Sequence, residues 1–135
     1  MIALDTNVLV RFLVRDNEAQ AAAAGTLLSS LTADQPGFVC REVIVELVWV
    51  LERAYGFSPE HVAGVLEHLV STDVLVVEAA SDVARVAFGY GTGSAGFSDL
   101  MILAAAERSN ALHQYTFDQK AARPEGATLI QCSKA

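Results

Sequence analysis

The first seven residues constrain this chain more than any other stretch. Met1-Ile2-Ala3-Leu4 is a short apolar run, Asp5-Thr6-Asn7 follows without a linker, and Val8 to Val14 is then long enough for a turn or two of helix. That order reads as a buried strand ending on a carboxylate and turning directly into a helix. In an open parallel α/β sheet, ligands gather outside the carboxyl ends of the strands. Asp5 is therefore expected at the edge where chemistry would occur.

The rest of the chain repeats the alternation. Asn17 with Gln20 three residues on resembles a capping box, and a helix is expected over 19–31. Asp34 to Gly37 is a turn signal, followed by a strand over 38–40 and a helix over 41–54 that ends at Gly56. Ser58-Pro59 has the form of an N-cap and first helical position, starting a helix to about Val70. A strand over 74–77, a helix capped by Ser81 and running through Tyr90, and a flexible loop over 91–96 come next. Ser98 is expected to cap a helix over 100–110. A strand over 113–117, a short helix over 118–122, a possible strand over 128–130 and a frayed end complete the pass. The pattern predicts an α/β chain, three-layer α/β/α, with one central mostly parallel sheet of about four or five strands. Its length of 135 residues fits a single domain.

The helix over 41–54 is apolar on nearly every face, through Val43, Ile44, Val45, Leu47, Val48, Trp49, Val50 and Leu51. A helix of that kind is expected to be buried all round. With 53% apolar residues in the chain, this predicts one face on the sheet and another on a second copy.

Four carboxylates stand out by position. Asp5 ends the first strand, Glu46 lies one turn into the helix after the second, Asp99 begins the helix before the fourth, and Asp118 follows the fourth directly. In right-handed strand–helix–strand units each helix starts near the carboxyl edge of the sheet, so all four are expected at one edge. Asp5 and Asp118 each also fit as plain N-caps, and Asp99 as a complement to a helix dipole. Glu46 has no cation three or four residues away and sits in the most apolar helix, where a buried charge needs a partner. Two like charges about 5 Å apart repel by roughly 3 kcal/mol at an effective dielectric of about 20, so a shared site favours a cation. An oxygen-only donor set suits Mg²⁺ or Mn²⁺ rather than zinc, and such a cation activates water and steadies charge building on a phosphate.

Net charge is −7, from nine Lys+Arg against sixteen Asp+Glu. That counts against a non-specific nucleic-acid binding module, though not against an enzyme that holds phosphates through metal ions. Cys40 and Cys132 match no zinc spacing and are expected to be reduced thiols in a cytoplasmic protein. No basic segment precedes the first apolar run, and Val43 to Leu51 is too short to span a bilayer.

The segments Leu4-Asp5-Thr6-Asn7-Val8-Leu9, Glu46 to Tyr55, Phe97-Ser98-Asp99-Leu100-Met101-Ile102 and Tyr115-Thr116-Phe117-Asp118 together resemble the PIN-domain nucleases, most closely the VapC-type toxins of toxin–antitoxin pairs. The resemblance implies a metal-dependent endoribonuclease with Asp5, Glu46, Asp99 and Asp118 at the family's acidic positions. Thr6, Asn7 and Thr116 would support the metal site. It also implies a homodimer, an antitoxin whose C-terminal segment covers the active site, and RNA products with 5′-phosphate and 3′-hydroxyl ends. Ser98 stands where many relatives have a smaller residue, and Glu42 is an extra acid one turn before Glu46. Arg11, Arg15, Lys120 and Arg123 follow the acidic positions closely and are candidate RNA contacts. Two other enzyme readings fit less well. A haloacid-dehalogenase-type phosphatase needs a second Asp where Asn7 stands, and a receiver domain needs an acidic pair at the first strand. A non-catalytic adaptor of the same fold is the alternative from a different class.

Overall fold

The computed structural model describes residues 1–92, 95–111 and 113–133. The middle of the expected glycine-rich loop, Gly93-Ser94, and the expected frayed end, Lys134-Ala135, lie outside the described residues. Along the chain, β1 (Ile2–Ala3) leads into α1 (Thr6–Val14) and α2 (Glu18–Ser29). β2 (Gly37–Val39) leads into α3 (Arg41–Arg53) and α4 (Pro59–Ser71), and β3 (Leu75–Val77) into α5 (Ala80–Gly91) and α6 (Phe97–Arg108). β4 (Gln114–Thr116) and β5 (Ala127–Leu129) follow.

The arrangement is α/β/α, and the described strand pairs are parallel. The strands form two sheets, β1-β2-β3 and β4-β5, and this corrects the expected single sheet. Alternation along a chain gives the number of strands, not which of them share a ladder. The edge strand β1 has only two paired residues, Ile2 with Gly37 and Ala3 with Phe38. So short a strand offers few backbone groups to a second neighbour, and Ile2 stays 42% exposed.

Several local expectations hold because the capping chemistry is strong. Asn17 Oδ1 accepts the Gln20 amide at 3.0 Å, and Ser58 Oγ accepts that of His61 at 3.1 Å. Gly56 takes a left-handed φ of 65° just beyond α3. Others are corrected. Gly96, not Ser98, is the N-cap of α6, so that buried Phe97 enters the first turn. Ala79, not Ser81, precedes α5, in a left-handed conformation and without a side-chain cap. The expected helix after Asp118 is a turn, because Asp118 Oδ1 accepts the amides of Lys120 at 2.8 Å and Ala121 at 3.3 Å. Such side-chain bonds offer the backbone an alternative to helix.

α3 is the spine of the core. Its Ile44, Leu47, Val48 and Leu51 are each no more than 1% exposed, and it packs against α1, α4 and α6. Burial is not all round, however: Trp49, on the same helix, is 59% exposed. Beneath it the sheet is tight. A Cβ on Gly37 would stand 2.8 Å from Leu4 Cδ1 and 3.0 Å from Leu31 Cδ1, so only glycine's hydrogen fits between those leucines. Among the described residues no helix is long and apolar enough to cross a membrane.

An ionic clasp joins α5 to α6. Asp82, only 8% exposed, accepts from Arg108 at 2.7 Å and lies 3.7 Å from Arg85, which also reaches Glu107 at 2.9 Å. Removing the charge on Asp82 strands the Arg108 bond, whereas Arg85 is 59% exposed and contributes little. Asp82→Asn is expected to lower stability by about 2 kcal/mol, and Arg85→Ala by under about 0.5 kcal/mol, read from urea-unfolding midpoints.

Candidate functional site

Asp5 and Asp118 lie just beyond strands, where backbone amides engage them, whereas Glu46 and Asp99 lie within helices. Asp5 is exposed and extended (φ −82°, ψ 161°), and its Oδ1 caps α1 by accepting the Thr6 amide at 2.8 Å. Thr6 beneath it is buried, while Asn7 faces a hollow of about 290 Å³ shared with Arg11 and Gln20. Asp99 lies in the first turn of α6 and folds back over the helix start. A Cβ on Gly96 would come within 3.0 Å of its Oδ2. Asp118 is exposed in its turn, held from behind by Thr116, whose Oγ1 accepts the Asp118 amide at 3.0 Å.

Glu46 behaves differently from expectation. It is exposed rather than buried, so the argument from burial of its charge does not apply. It opens into a cleft of about 910 Å³ between α3 and the start of α6, together with Glu42, Trp49, Arg53, Phe97 and Ser98. Glu46 and Ser98, the residue before Asp99, thus line the same cleft. Arg41 stiffens this junction: its Nη2 donates to the Met101 carbonyl at 3.3 Å, and its amide is capped by Glu78 Oε1 at 2.8 Å. At the other end of the cleft, the Tyr90 hydroxyl donates to Glu52 Oε2 at 2.6 Å. Burial, aided by that carboxylate, pushes the Tyr90 phenol well above its ordinary value.

Among the described residues, no three of His, Cys, Asp and Glu stand together in a group that could hold a metal ion. Glu46 and the helix that carries Asp99 are brought to one cleft; Asp5 and Asp118 join no such group. The donor chemistry nevertheless suits a hard cation, since every candidate ligand is a carboxylate. The bonds of Asp5 and Asp118 engage only Oδ1 in each case, and Oδ2 accepts no protein hydrogen bond among the described residues.

The candidate RNA cations also divide. Arg11 is committed: Nε donates to Gln20 at 2.6 Å, and Nη1 to Asp16 at 2.9 Å and to the Tyr55 hydroxyl at 3.3 Å. The Tyr55 hydroxyl in turn donates to Asp16 at 2.7 Å and, with Arg11, holds its carboxyl below the usual range. Arg15 lies 5.4 Å over the Phe12 ring, while Lys120 and Arg123 are exposed near Asp118. Sequence reasoning passed over Arg41, Arg53 and Glu78. Glu78 carried a visible signal, since it follows the apolar run 74–77 as Asp5 follows the first; the two arginines carried none.

A family model described as PIN domain matches residues 2–126. No curated protein and no solved structure matches the chain.

The Tyr90–Glu52 bond gives a pH signature. A phenol raised on folding contributes stability that is complete below its unfolded pKa of about 10 and is lost as pH rises through the higher folded value. Unfolding free energy is therefore expected to be steady to about pH 9 and to fall above pH about 10. Tyr90→Phe, which cannot ionise, is expected to flatten that alkaline fall in urea titrations run at successive pH values.

Proposed function

The chain belongs to the PIN-domain family, a family associated with nuclease activity, and we propose that it is a divalent-metal-dependent endoribonuclease, the toxin of a type II toxin–antitoxin pair of the VapC type. The observation that carries this reading is the family match over residues 2–126, a span that holds the carboxylates of Asp5, Glu46, Asp99 and Asp118. The whole of 1–135 is read as one such domain acting in the cytoplasm.

Those four carboxylates would hold Mg²⁺ or Mn²⁺. When bound, the ion supplies a hard Lewis acid that draws charge from the scissile phosphate and favours attack by water. The chain's own part is positioning. Thr116 holds the turn that presents Asp118, and the Thr6 amide engages one oxygen of Asp5, leaving the other without a protein hydrogen bond among the described residues. Arg15, Lys120 and Arg123 supply exposed cations for the RNA, whereas Arg11 serves the fold through Asp16 and Tyr55. Scission of the P–O3′ bond would leave 5′-phosphate and 3′-hydroxyl ends. Exposed apolar residues such as Phe88 and Ile102, at 77% and 56% exposure, offer surface for a homodimer, and a cognate antitoxin would cover the site with its C-terminal segment.

A non-catalytic adaptor of this fold is the second reading. It is favoured by one observation, the lack of three gathered ligands among the described residues. Mg²⁺ titration by calorimetry separates the two, because an adaptor has no need of the ion.

Purified protein with structured RNA and Mg²⁺ is expected to cut internally. EDTA is expected to stop cleavage, and Asp5→Asn or Asp99→Asn to slow it by at least about a hundredfold. Undiminished cleavage in EDTA or in either variant overturns the mechanism.

A further inference from the structure

The cleft along α3 presents an ordered set of groups beyond Glu46. Glu42, Glu46, Trp49 and Arg53 recur at spacings of four and three, which puts them on one helical face. At about 1.5 Å per residue, Trp49 stands about 4.5 Å and Arg53 about 10 Å along the axis from Glu46. Trp49 is 59% exposed although its neighbour Val48 is 1% exposed. Arg53 makes no ion pair among the described residues, whereas Arg11, Arg85 and Arg108 each do. A second guanidinium, Arg41, lines the other end of the same cleft and is held toward α6 by the Met101 carbonyl.

An indole left in water one turn from a guanidinium that makes no ion pair among the described residues has the chemistry of a site for single-stranded nucleic acid, in which bases stack on aromatic faces and cations track phosphates. We infer that Trp49 and Arg53 form a nucleotide subsite, the indole stacking on a base that flanks the scissile phosphate and the guanidinium meeting the next phosphate along the strand. The inference rests on the ribonuclease reading and on the placing of Glu46 at the reacting phosphate. It gives an acidic chain a way to hold a polyanion. Stacking is indifferent to charge, and of the three carboxylates in the cleft, Glu52 is already engaged by the Tyr90 hydroxyl. Because every base has a π-face, Trp49 contributes affinity with little sequence preference.

Trp49 is the sole tryptophan, so its emission reports on this cleft alone. Asp5→Asn protein titrated in Mg²⁺ with a single-stranded oligoribonucleotide on the order of eight nucleotides long is expected to show saturable quenching. Arg53→Ala is expected to weaken that binding by roughly tenfold and to reduce its salt dependence by about one phosphate contact. In the cleaving protein, Trp49→Ala is expected to lower kcat/KM by roughly ten- to a hundredfold through KM, with Trp49→Phe restoring most of it. Truncating an exposed indole leaves the core intact. Binding detected by anisotropy of a labelled oligonucleotide without any change in emission overturns the subsite while leaving the nuclease reading standing. Quenching in the protein with Asp5 intact, with Mg²⁺ present and no cleavage, does the reverse. Emission that follows protein concentration rather than RNA, with Trp49→Ala turning a sedimenting dimer into monomer, also overturns the subsite and assigns the face to a second copy.

Discussion

The packing of α3 is the interaction on which the rest of the structure depends. Four of its side chains, Ile44, Leu47, Val48 and Leu51, are sealed from solvent, and each contributes on the order of 1.5–3 kcal/mol by leaving water. That face fixes the rotation of the helix. Once Leu47 and Val48 point inward, Glu42, Glu46, Trp49 and Arg53 line the cleft toward the start of α6. A single register of burial therefore decides both which residues form the core and which reach the candidate site. The Arg41–Met101 bond ties the same helix to α6, so the walls of the cleft are held by packing and by a hydrogen bond together.

The acids illustrate a competition between two ways of satisfying a carboxylate. One is a backbone N–H at a helix start or turn, worth about 1 kcal/mol. The other is a shared cation, which can gather several carboxylates only by overcoming their mutual repulsion. In the structure described, the first has won at three places. Asp5 caps α1, Glu78 caps α3, and Asp118 closes its own turn. The same positions that make an acid useful to a metal, directly after a strand and before a helix, also put amides within its reach. Capping and ligation need not exclude each other, because a carboxylate has two oxygens and a cap engages one.

The sequence made the alternation of strands and helices legible, together with the caps at Asn17 and Ser58, because those signals are local and each rests on a few adjacent residues. It left the sheet illegible, because β1 has two residues and pairing is decided by what lies beside it in space. Asp5 and Asp118 stood out in the sequence because each directly follows an expected strand, and Glu78, which follows β3 in the same way, shows that this pattern is wider than the set first drawn from it. Glu46 was singled out on the expectation of burial, which the structure does not support; it is exposed and lines the α3 cleft. Trp49 illustrates the same limit. Within an apolar helix its exposure depends on rotation about the axis, and composition alone does not set that angle.

Net charge sharpens the question of how such a protein meets RNA. With sixteen acidic residues against nine basic ones, long-range steering works against a polyanion, and association has to rely on groups placed close to the reacting phosphate. Three arginines, Arg11, Arg85 and Arg108, are taken up by ion pairs that hold helices together. Among the described residues the other cations are few and local: Arg41 and Arg53 in the α3 cleft, Arg15 beyond α1, and Lys120 with Arg123 after Asp118. Sparse cations screen poorly at a distance yet act strongly within a few ångströms. In the proposed ribonuclease, such a distribution of charge would leave RNA bound weakly in general and tightly only where a strand threads the cleft, with selection among RNAs coming from shape and access there rather than from attraction over the whole surface.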